Sequence, residues 1–389
     1  MGAFYTKQLK WYIINRHYFI KDGGFLMNYL KILLMMGLLV SPAVMIGHMQ
    51  PVIDEQGCYH YDEHDTYKHV DLSKALRILA TKILAPQKLI KGLVSRFYSS
   101  EKKVKIDAVA LLNPTQTVPA ASSIEPKIIW VGHATFLIQM DGFNILTDPI
   151  FGSVKVGPFT LTERVIPAGI KFEDLPHIDA IVISHNHSDH TDTTTLKALA
   201  KKYQPKVFVP EGNKSLFEGM GFKRVIEHGW WEKMTFMKND RSLTISCLPA
   251  YHWSIRFSLG GYRKSLWSSW MISTENNHIY FAGDTAYGKH FKEIADKFPS
   301  IDVALMPIGP TCEGENRHKL YHIDATEAVD SFIDLNAHCF VPMHYGTFWL
   351  GEEHFIYPLQ RLHAYWQEKA AAMHDKKLLV ARCGEQYTL

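Results

Sequence analysis

The stretch Ser184-His185-Asn186-His187-Ser188-Asp189-His190 constrains this chain more than any other, because it comes directly after the apolar run Asp179-Ala180-Ile181-Val182-Ile183. The run has the length and β-branched content of a buried strand. Four potential metal ligands therefore arrive together at a strand end. In an extended segment His185 and His187 project the same way and can bind one metal. Asp189 and His190 come where the chain turns into the helical pattern that begins near Thr193, so they can face a second metal beside the first. Neutral imidazoles with a carboxylate suit zinc, whereas an oxygen-only set would suggest calcium or magnesium.

Composition agrees with a folded globular protein. The 389 residues are 47% hydrophobic and 21% charged, which excludes a disordered chain, a collagen-like repeat and a disulfide-stapled miniprotein. Five scattered cysteines without a CxxC pair suggest neither a disulfide framework nor a cysteine zinc site. A net charge of +3 is too small to point to nucleic acid. The unusual count is twenty-one histidines.

From Lys127 onward short β-branched or aromatic runs (IIWV, TFLIQM, NILTD, AIVIS, KVFVP, LTISCL, WMIS, HIYFAG, VALMP, CFVP, KLLVA) are interspersed with helical stretches such as KHFKEIADKF and DATEAVDSFIDL. Strands bunch first and then alternate with helices, the pattern of an α/β protein with layered sheets under helices. Three further polar residues stand in contexts like that of the histidine cluster. His252 follows SLTISCLPAY, Asp284 ends HIYFAGD, and His344 follows CFVPM. Singly, each has a plain structural reading as a helix cap or a solvent-facing strand end. Jointly they complete two coordination shells.

The N-terminal part reads differently. Ile32 to Gly47 is an uncharged apolar run of 16 residues, with Lys7, Lys10, Arg16, Lys21 and Lys31 before it and Asp54 and Glu55 after it. That is just short of the ~20 residues of a spanning helix and within the range of a long signal-peptide core. The charge bias keeps the start cytoplasmic and exports the body, towards the periplasm; a cytoplasmic protein held peripherally on a membrane is the alternative. Met27 is an alternative start to Met1. Residues 71–97 carry two short helical patterns parted by Pro86, with Leu72, Leu76, Leu79 and Ile83 on one face and basic residues on the rest. This suits a helix lying on an anionic bilayer, or an ordinary amphipathic helix packed on the body. The expected division is a hydrophobic segment over 1–50 (signal peptide or membrane anchor), a helical extension and linker over 51–123, and an α/β domain carrying the ligand residues over 124–389.

The segments WVGHATFLIQMDGFNILTDPIF, DAIVISHNHSDHTD, PAYHW, LWSSW, FAGDTAY, YHIDATEAV and MHYGTF, in that order, resemble the metallo-β-lactamase superfamily. Within it they most resemble the N-acylphosphatidylethanolamine-hydrolysing phospholipase D group, which is related to a branch of sugar-phosphate lactonases. The resemblance runs from about Lys127 to the C-terminus. It implies a four-layer αββα sandwich, here with an N-terminal hydrophobic and amphipathic helical extension. It implies two zinc ions per chain, although sites of this type also take iron or manganese. His185, His187 and His252 would hold one ion, Asp189, His190 and His344 the other, and the Asp284 carboxylate would bridge them. Asp148, in LTDP, would orient a ligand histidine from behind, and His322 would donate a hydrogen bond to a substrate phosphate.

Two metals of this kind generate a hydroxide near neutral pH without a serine, cysteine or lysine nucleophile, and no G-x-S-x-G elbow, P-loop or dinucleotide fingerprint competes. The expected activity is metal-dependent hydrolysis of an N-acylphosphatidylethanolamine-like lipid to N-acylethanolamine and phosphatidic acid, with Asp189 taking the proton of the nucleophile. The alternative is hydrolysis of a soluble ester such as a sugar-phosphate lactone. The expected partners are a phospholipid or other amphiphilic phosphodiester and a membrane surface, with no nucleic acid; an oligomer is admitted. Trp230, Trp231, Trp253, Trp267, Trp270 and Trp349 lie near the motifs, as an acyl-chain groove or as plain core. Two loops depart from the lipid-enzyme pattern: 309–321 is polar, and 152–170 holds few arginines.

Overall fold

Alternate side chains along Lys127–Gly132 join different apolar clusters, Ile128 and Trp130 one, Ile129 and Val131 the other. This is the period of two of a strand buried on both faces, and it sets the layers of the molecule. The computed structural model describes residues 49–55, 57–61, 114–157, 159–256, 262–310, 317–350 and 356–389. The apolar run at 32–47, the amphipathic pattern at 71–97 and both candidate start residues lie outside them.

In chain order the strands are β1 Val52–Ile53, β2 Tyr59–His60, β3 Lys127–Gly132, β4 Thr135–Met140, β5 Phe143–Thr147, β6 Val154–Val156, β7 Phe159–Thr162, β8 Ala180–Val182, β9 Lys206–Pro210, β10 Val225–His228, β11 Lys233–Lys238, β12 Arg241–Leu248, β13 Ser269–Ser273, β14 His278–Phe281, β15 Val303–Pro307, β16 Cys339–Met343, β17 Lys377–Leu378 and β18 Gln386–Thr388. The α-helices are α1 Thr193–Lys202, α2 Lys214–Glu218, α3 His290–Lys297, α4 Ala325–Leu335 and α5 Tyr357–Glu368.

Two seven-stranded sheets form the body, in the orders β10-β9-β8-β5-β4-β3-β18 and β11-β12-β13-β14-β15-β16-β17. In each, one half is antiparallel and the other parallel: β3, β4 and β5 pair antiparallel while β5, β8, β9 and β10 pair parallel. Correspondingly, β11 to β14 pair antiparallel and β14 to β17 parallel. The sheets face each other across a core holding Trp130, Phe136, Phe143 and Phe208 from the first with Ile245, Trp270 and Phe281 from the second. On the outer face of the first sheet, Val207 and Val209 of β9 share a cluster with Leu196 and Leu199 of α1 and with Phe217 of α2. Full burial of a leucine stabilises by roughly 1.5–3 kcal/mol, so α1 is held by its apolar face. Its start is set by Asp192, whose carboxylate accepts from the backbone N–H groups of Thr194 and Thr195. Helix α4 begins with a capping box of Asp324 and Glu327 and packs Phe332 against Phe340 of β16. The result is the expected α/β architecture of two sheets with helices outside.

The expectation of a helical extension over 51–123 meets a different local structure at its start. Val52–Ile53 and Tyr59–His60 pair antiparallel, and Tyr59 N–H donates to Arg263 O at 2.8 Å. The residues between this hairpin and 114 lie outside the description. From 114 the chain docks on the body, with Thr115 N–H donating to Cys383 O at 3.0 Å. Of the strands, β10, β11 and β18 carry weak sequence signals; the burial of β11, for example, is mostly partial or absent, so no clean alternation marks it. Among the described residues no helix is long and apolar enough to cross a membrane.

Candidate metal centre

The strand ends named by the sequence meet at one rim of the sandwich. β5 delivers Asp148, β8 delivers the segment Ser184 to His190, β14 leads through Gly283 to Asp284, and β16 leads to His344. His252 stands four residues beyond β12, and His322 just before the Asp324 cap of α4. Asp148 (φ 32°), His344 (φ 61°) and His133 (φ 55°) all adopt left-handed backbone. Such conformations cost of order 1–3 kcal/mol each and persist where the surroundings over-determine them. Here they turn side chains off the strand ends towards one another.

Besides the overlapping sets Asp148–His185–His190 and His252–Asp284–His322, two disjoint groups of ligand atoms form among the described residues, each with its members within 4.8 Å of one another: His185, His187 and His252 form one, and His133, Asp189, His190 and His344 the other. Asp284 lies between them. Its Oδ1 is 3.1 Å from His344 Nε2, while its Oδ2 is 3.2 Å from His190 Nε2, 3.9 Å from His252 Nε2 and 4.0 Å from His185 Nε2. Asp189 Oδ2 is 3.5 Å from His190 Nε2 and 3.9 Å from His344 Nε2. His322 Nδ1 stands 3.6 Å from Asp284 Oδ2. The side chains of Asp189 (20%) and His322 (15%) keep some exposure while His185, His190, His252, Asp284 and His344 have almost none, so these two mark the open side.

The outer nitrogens fix which way the imidazoles face. His344 Nδ1 donates to Gly309 O at 2.8 Å and His252 Nδ1 to Tyr321 O at 2.7 Å. His190 Nδ1 donates to Asp148 Oδ2 at 2.7 Å, and Asp148 also accepts from the N–H (2.7 Å) and hydroxyl of Ser184. That hydroxyl, its proton given to Asp148, accepts from His185 Nδ1 at 2.8 Å. A neutral imidazole with a donating Nδ1 presents a lone pair at Nε2. His185, His252 and His344 thus aim lone pairs into the rim, and His187 Nδ1 lies 2.8 Å from His185 Nε2 and 3.3 Å from His252 Nε2. One proton can serve one of these contacts, whereas a cation serves them all. Asp284 Oδ1 is buried without a hydrogen-bond partner. The donor set therefore fits divalent metal, the cofactor that the fold implies, with oriented outer contacts on four of its imidazoles.

Electrostatics point the same way. Burial, reinforced by neighbouring imidazoles, holds His185 and His252 well below the ordinary histidine range and lowers His187 to about 4. His133 is lowered to about 3, by burial and then by His344. His190 moves the other way. Burial opposes its charge, but Asp284, Asp189 and Asp148 outweigh it and hold the imidazole well above its usual value. Burial likewise disfavours the Asp189 and Asp284 carboxylates, yet His190 and its neighbours keep both well below the carboxylate range. Burial pushes Asp148 up, while three donors aimed at its oxygens fit only the ionised form. A rim of buried carboxylates that retains a proton on His190 is one that attracts positive charge.

The structure brings together every residue named from the sequence: His185, His187, Asp189, His190, His252, Asp284, His322 and His344 around the rim, with Asp148 behind His190. Sequence reasoning missed His133, which belongs to the same rim with its Nε2 3.1 Å from Asp189 Oδ2. Its signal was available: a histidine directly after Gly132 at a strand end repeats the pattern of the other groups. The tryptophans divide. Trp230, Trp267 and Trp270 are core, their indole N–H groups bonded to the carbonyls of Trp267, Ala250 and Ile183. Trp253 borders the site, its ring 4.4 Å from that of His187 and 5.9 Å from that of Tyr321.

Comparison with known proteins gives concordant results. Residues 143–345, just over half of the chain, match a family described as a beta-lactamase superfamily domain. The chain is 36% identical over 242 residues to N-acyl-phosphatidylethanolamine-hydrolyzing phospholipase D 1 of Caenorhabditis elegans, covering 60% of this chain and 67% of that protein. It is 36% identical over 236 residues to the mitochondrial N-acyl-phosphatidylethanolamine-hydrolyzing phospholipase D of Saccharomyces cerevisiae, covering 60% of this chain but only 50% of the yeast protein. Among solved structures it is similar in fold to an isothiocyanate hydrolase from Delia radicum gut bacteria, with TM-score 0.53, 18% identity, and coverage of 68% of this chain and 99% of that one.

Proposed function

Because the chain belongs to the beta-lactamase superfamily and is a metal-dependent hydrolase, we propose that it is a zinc-dependent phosphodiesterase of phospholipase D type. Its substrate is an N-acylphosphatidylethanolamine-like lipid and its products are an N-acylethanolamine and phosphatidic acid. The observation that carries the reading is Asp284, whose two oxygens reach imidazoles of both ligand groups within 4.0 Å. The identity with the worm and yeast enzymes supports the substrate class.

In this reading His185, His187 and His252 would hold one zinc, Asp189, His190 and His344 would hold a second, and the Asp284 carboxylate would serve both; iron or manganese would suit the same donors. When bound, such cations would supply a hydroxide nucleophile near neutral pH and neutralise charge on the phosphoryl group. The residues of the chain supply orientation and proton transfer. Asp148 fixes the His190 ring through its Nδ1. Asp189, on the open side, accepts the proton of the attacking water. The water oxygen then bonds to phosphorus as the bond from phosphorus to the ethanolamine oxygen breaks, and that oxygen leaves as an alkoxide that takes up the proton held on Asp189. His322, 3.6 Å from Asp284 and partly exposed, donates to a non-bridging phosphate oxygen. Trp253 and Tyr321 give the mouth an apolar wall, suited to an acyl chain. Residues 1–50, with the basic amphipathic pattern at 71–97, attach the chain to a membrane surface; both rest on the sequence alone.

The test pairs metal analysis with turnover of N-acylphosphatidylethanolamine in mixed micelles. About two metal equivalents per chain are expected, with turnover lost in Asp284→Asn and after chelation. Full turnover in a metal-stripped sample overturns the metal chemistry. Metal present with short soluble lactones cleaved and lipid left intact overturns the substrate.

A further inference from the structure

His133 reaches the rim from the turn between β3 and β4, where both its backbone and its ring are held. The register of β3 against β4 shifts between Trp130 and Gly132. That bulge, with Gly132 at φ 123° and His133 at φ 55°, turns the side chain off the sheet edge towards the rim. The backbone is then pinned on three sides. His133 N–H donates to Thr347 Oγ1 at 2.7 Å, and its carbonyl accepts from Trp130 Nε1 at 2.9 Å and from His344 N–H at 3.2 Å. The ring is fully buried, lying 4.2 Å from the His344 ring and edge-on to Phe348 at 5.1 Å.

Asp189 is the opposite case. It sits in a loop with its side chain 20% exposed, so packing alone does not fix its carboxylate. Its shortest contact is the 3.1 Å one to His133 Nε2, against 3.5 Å to His190 and 3.9 Å to His344. Five imidazoles approach Asp284 within 4.0 Å, those of His185, His190, His252, His322 and His344; His133 is not among them. An imidazole beside an ionised carboxylate donates to it. The geometry thus separates His133 from the groups that face the shared carboxylate and couples it to one carboxylate alone.

We propose that His133 is a positioning residue: its Nε2–H holds the Asp189 carboxylate at the rim, and the affinity of the Asp189, His190 and His344 site for its cation depends on that hold. The proposal rests on the assignment of Asp189 as a ligand. Removing a group that orients a metal ligand typically weakens binding 10–100-fold.

The experiment measures metal affinity and stoichiometry by competition with a chromophoric chelator, using zinc as the probe, for the full chain and for His133→Ala and His133→Gln. Melting of each metal-stripped protein, followed by circular dichroism, shows which variants fold. His133→Ala should bind one equivalent as the native chain does and the other about 10–100-fold more weakly. His133→Gln, whose amide N–H can reach the same carboxylate, should recover most of the loss. The cobalt(II)-loaded Ala variant should keep the native absorption band positions, because the coordinating atoms are unchanged. Native affinity for both equivalents in His133→Ala overturns the proposal. So does a shifted cobalt band pattern, which would make His133 itself a ligand, or a Gln variant as weak as Ala. A native chain that takes up no metal removes the functional reading and this proposal together, whereas native uptake with unaltered variants removes this proposal alone.

Discussion

Replacing Asp148 by asparagine should uncouple one half of the metal rim with almost no change in shape. The carboxylate is fully buried and receives three donors: Ser184 N–H on Oδ1, and Ser184 Oγ–H and His190 Nδ1–H on Oδ2. An amide has one acceptor where the carboxylate has two, so each orientation fails somewhere. With its NH₂ towards Ser184 N, two donors face each other in a buried site, at a cost of about 1–3 kcal/mol. With its NH₂ towards His190, the imidazole must accept at Nδ1, and its proton moves to Nε2. That nitrogen lies 3.2 Å from Asp284, and once protonated it cannot bind a metal. The cheaper failure sets the outcome, so the second equivalent should bind about 10–100-fold more weakly, roughly 1.4–2.7 kcal/mol. The His185, His187 and His252 group should bind normally. Titration calorimetry with zinc, beside chemical denaturation of the metal-free protein, separates the two costs. If Asp148→Asn binds both equivalents with native affinity, the inference from Asp148 to His190 orientation is wrong.

Other expectations follow from the same geometry. Gly283, next to Asp284, has φ 59°, and a Cβ there would stand 2.4 Å from the Ser184 Cβ; Gly283→Ala should lower stability by at least ~1–3 kcal/mol and reduce bound metal, measured by urea denaturation and elemental analysis. His290 is buried, and burial depresses it from 6.5 to about 3. The unfolded chain therefore takes up a proton near 6.5 that the folded chain refuses until about 3. This contribution to stability is complete above 6.5 and is lost as pH falls through that window. Urea midpoints between pH 7 and 4 should fall less steeply in His290→Gln than in the native protein, and equal slopes would contradict the reading. His322→Ala should lower turnover of the lipid while both metal equivalents remain, whereas loss of metal in that variant would place His322 among the ligands.

The chemistry of the rim was legible because it is written locally. HNHSDH at the end of AIVIS needs no tertiary information to be read as a candidate ligand set, since a strand's period of two points His185 and His187 the same way. His252, Asp284 and His344 were legible for the same reason, as polar residues ending apolar strands. His133 was not assigned although it too follows a strand end, directly after Gly132; its distance to Asp189 is what ties it to the rim. Edge strands such as β11 were missed because partial exposure erases the alternation that marks a strand. Trp230, Trp267 and Trp270 look like Trp253 in sequence, yet three are core and one lines the mouth; composition does not record which way an indole faces.

By itself, then, the order of residues determined the kinds of side chain at each strand end and the period that buries the strands between them. Only the folded arrangement decided which of those ends share a rim. Asp284 meets His344 because β14 and β16 flank β15 in one sheet, but it meets His190 because the parallel halves of two different sheets bring their strand ends together, a juxtaposition set by packing across the core. Separation along the chain carries no trace of it: His133 and His344 lie far apart in sequence, yet their rings approach to 4.2 Å.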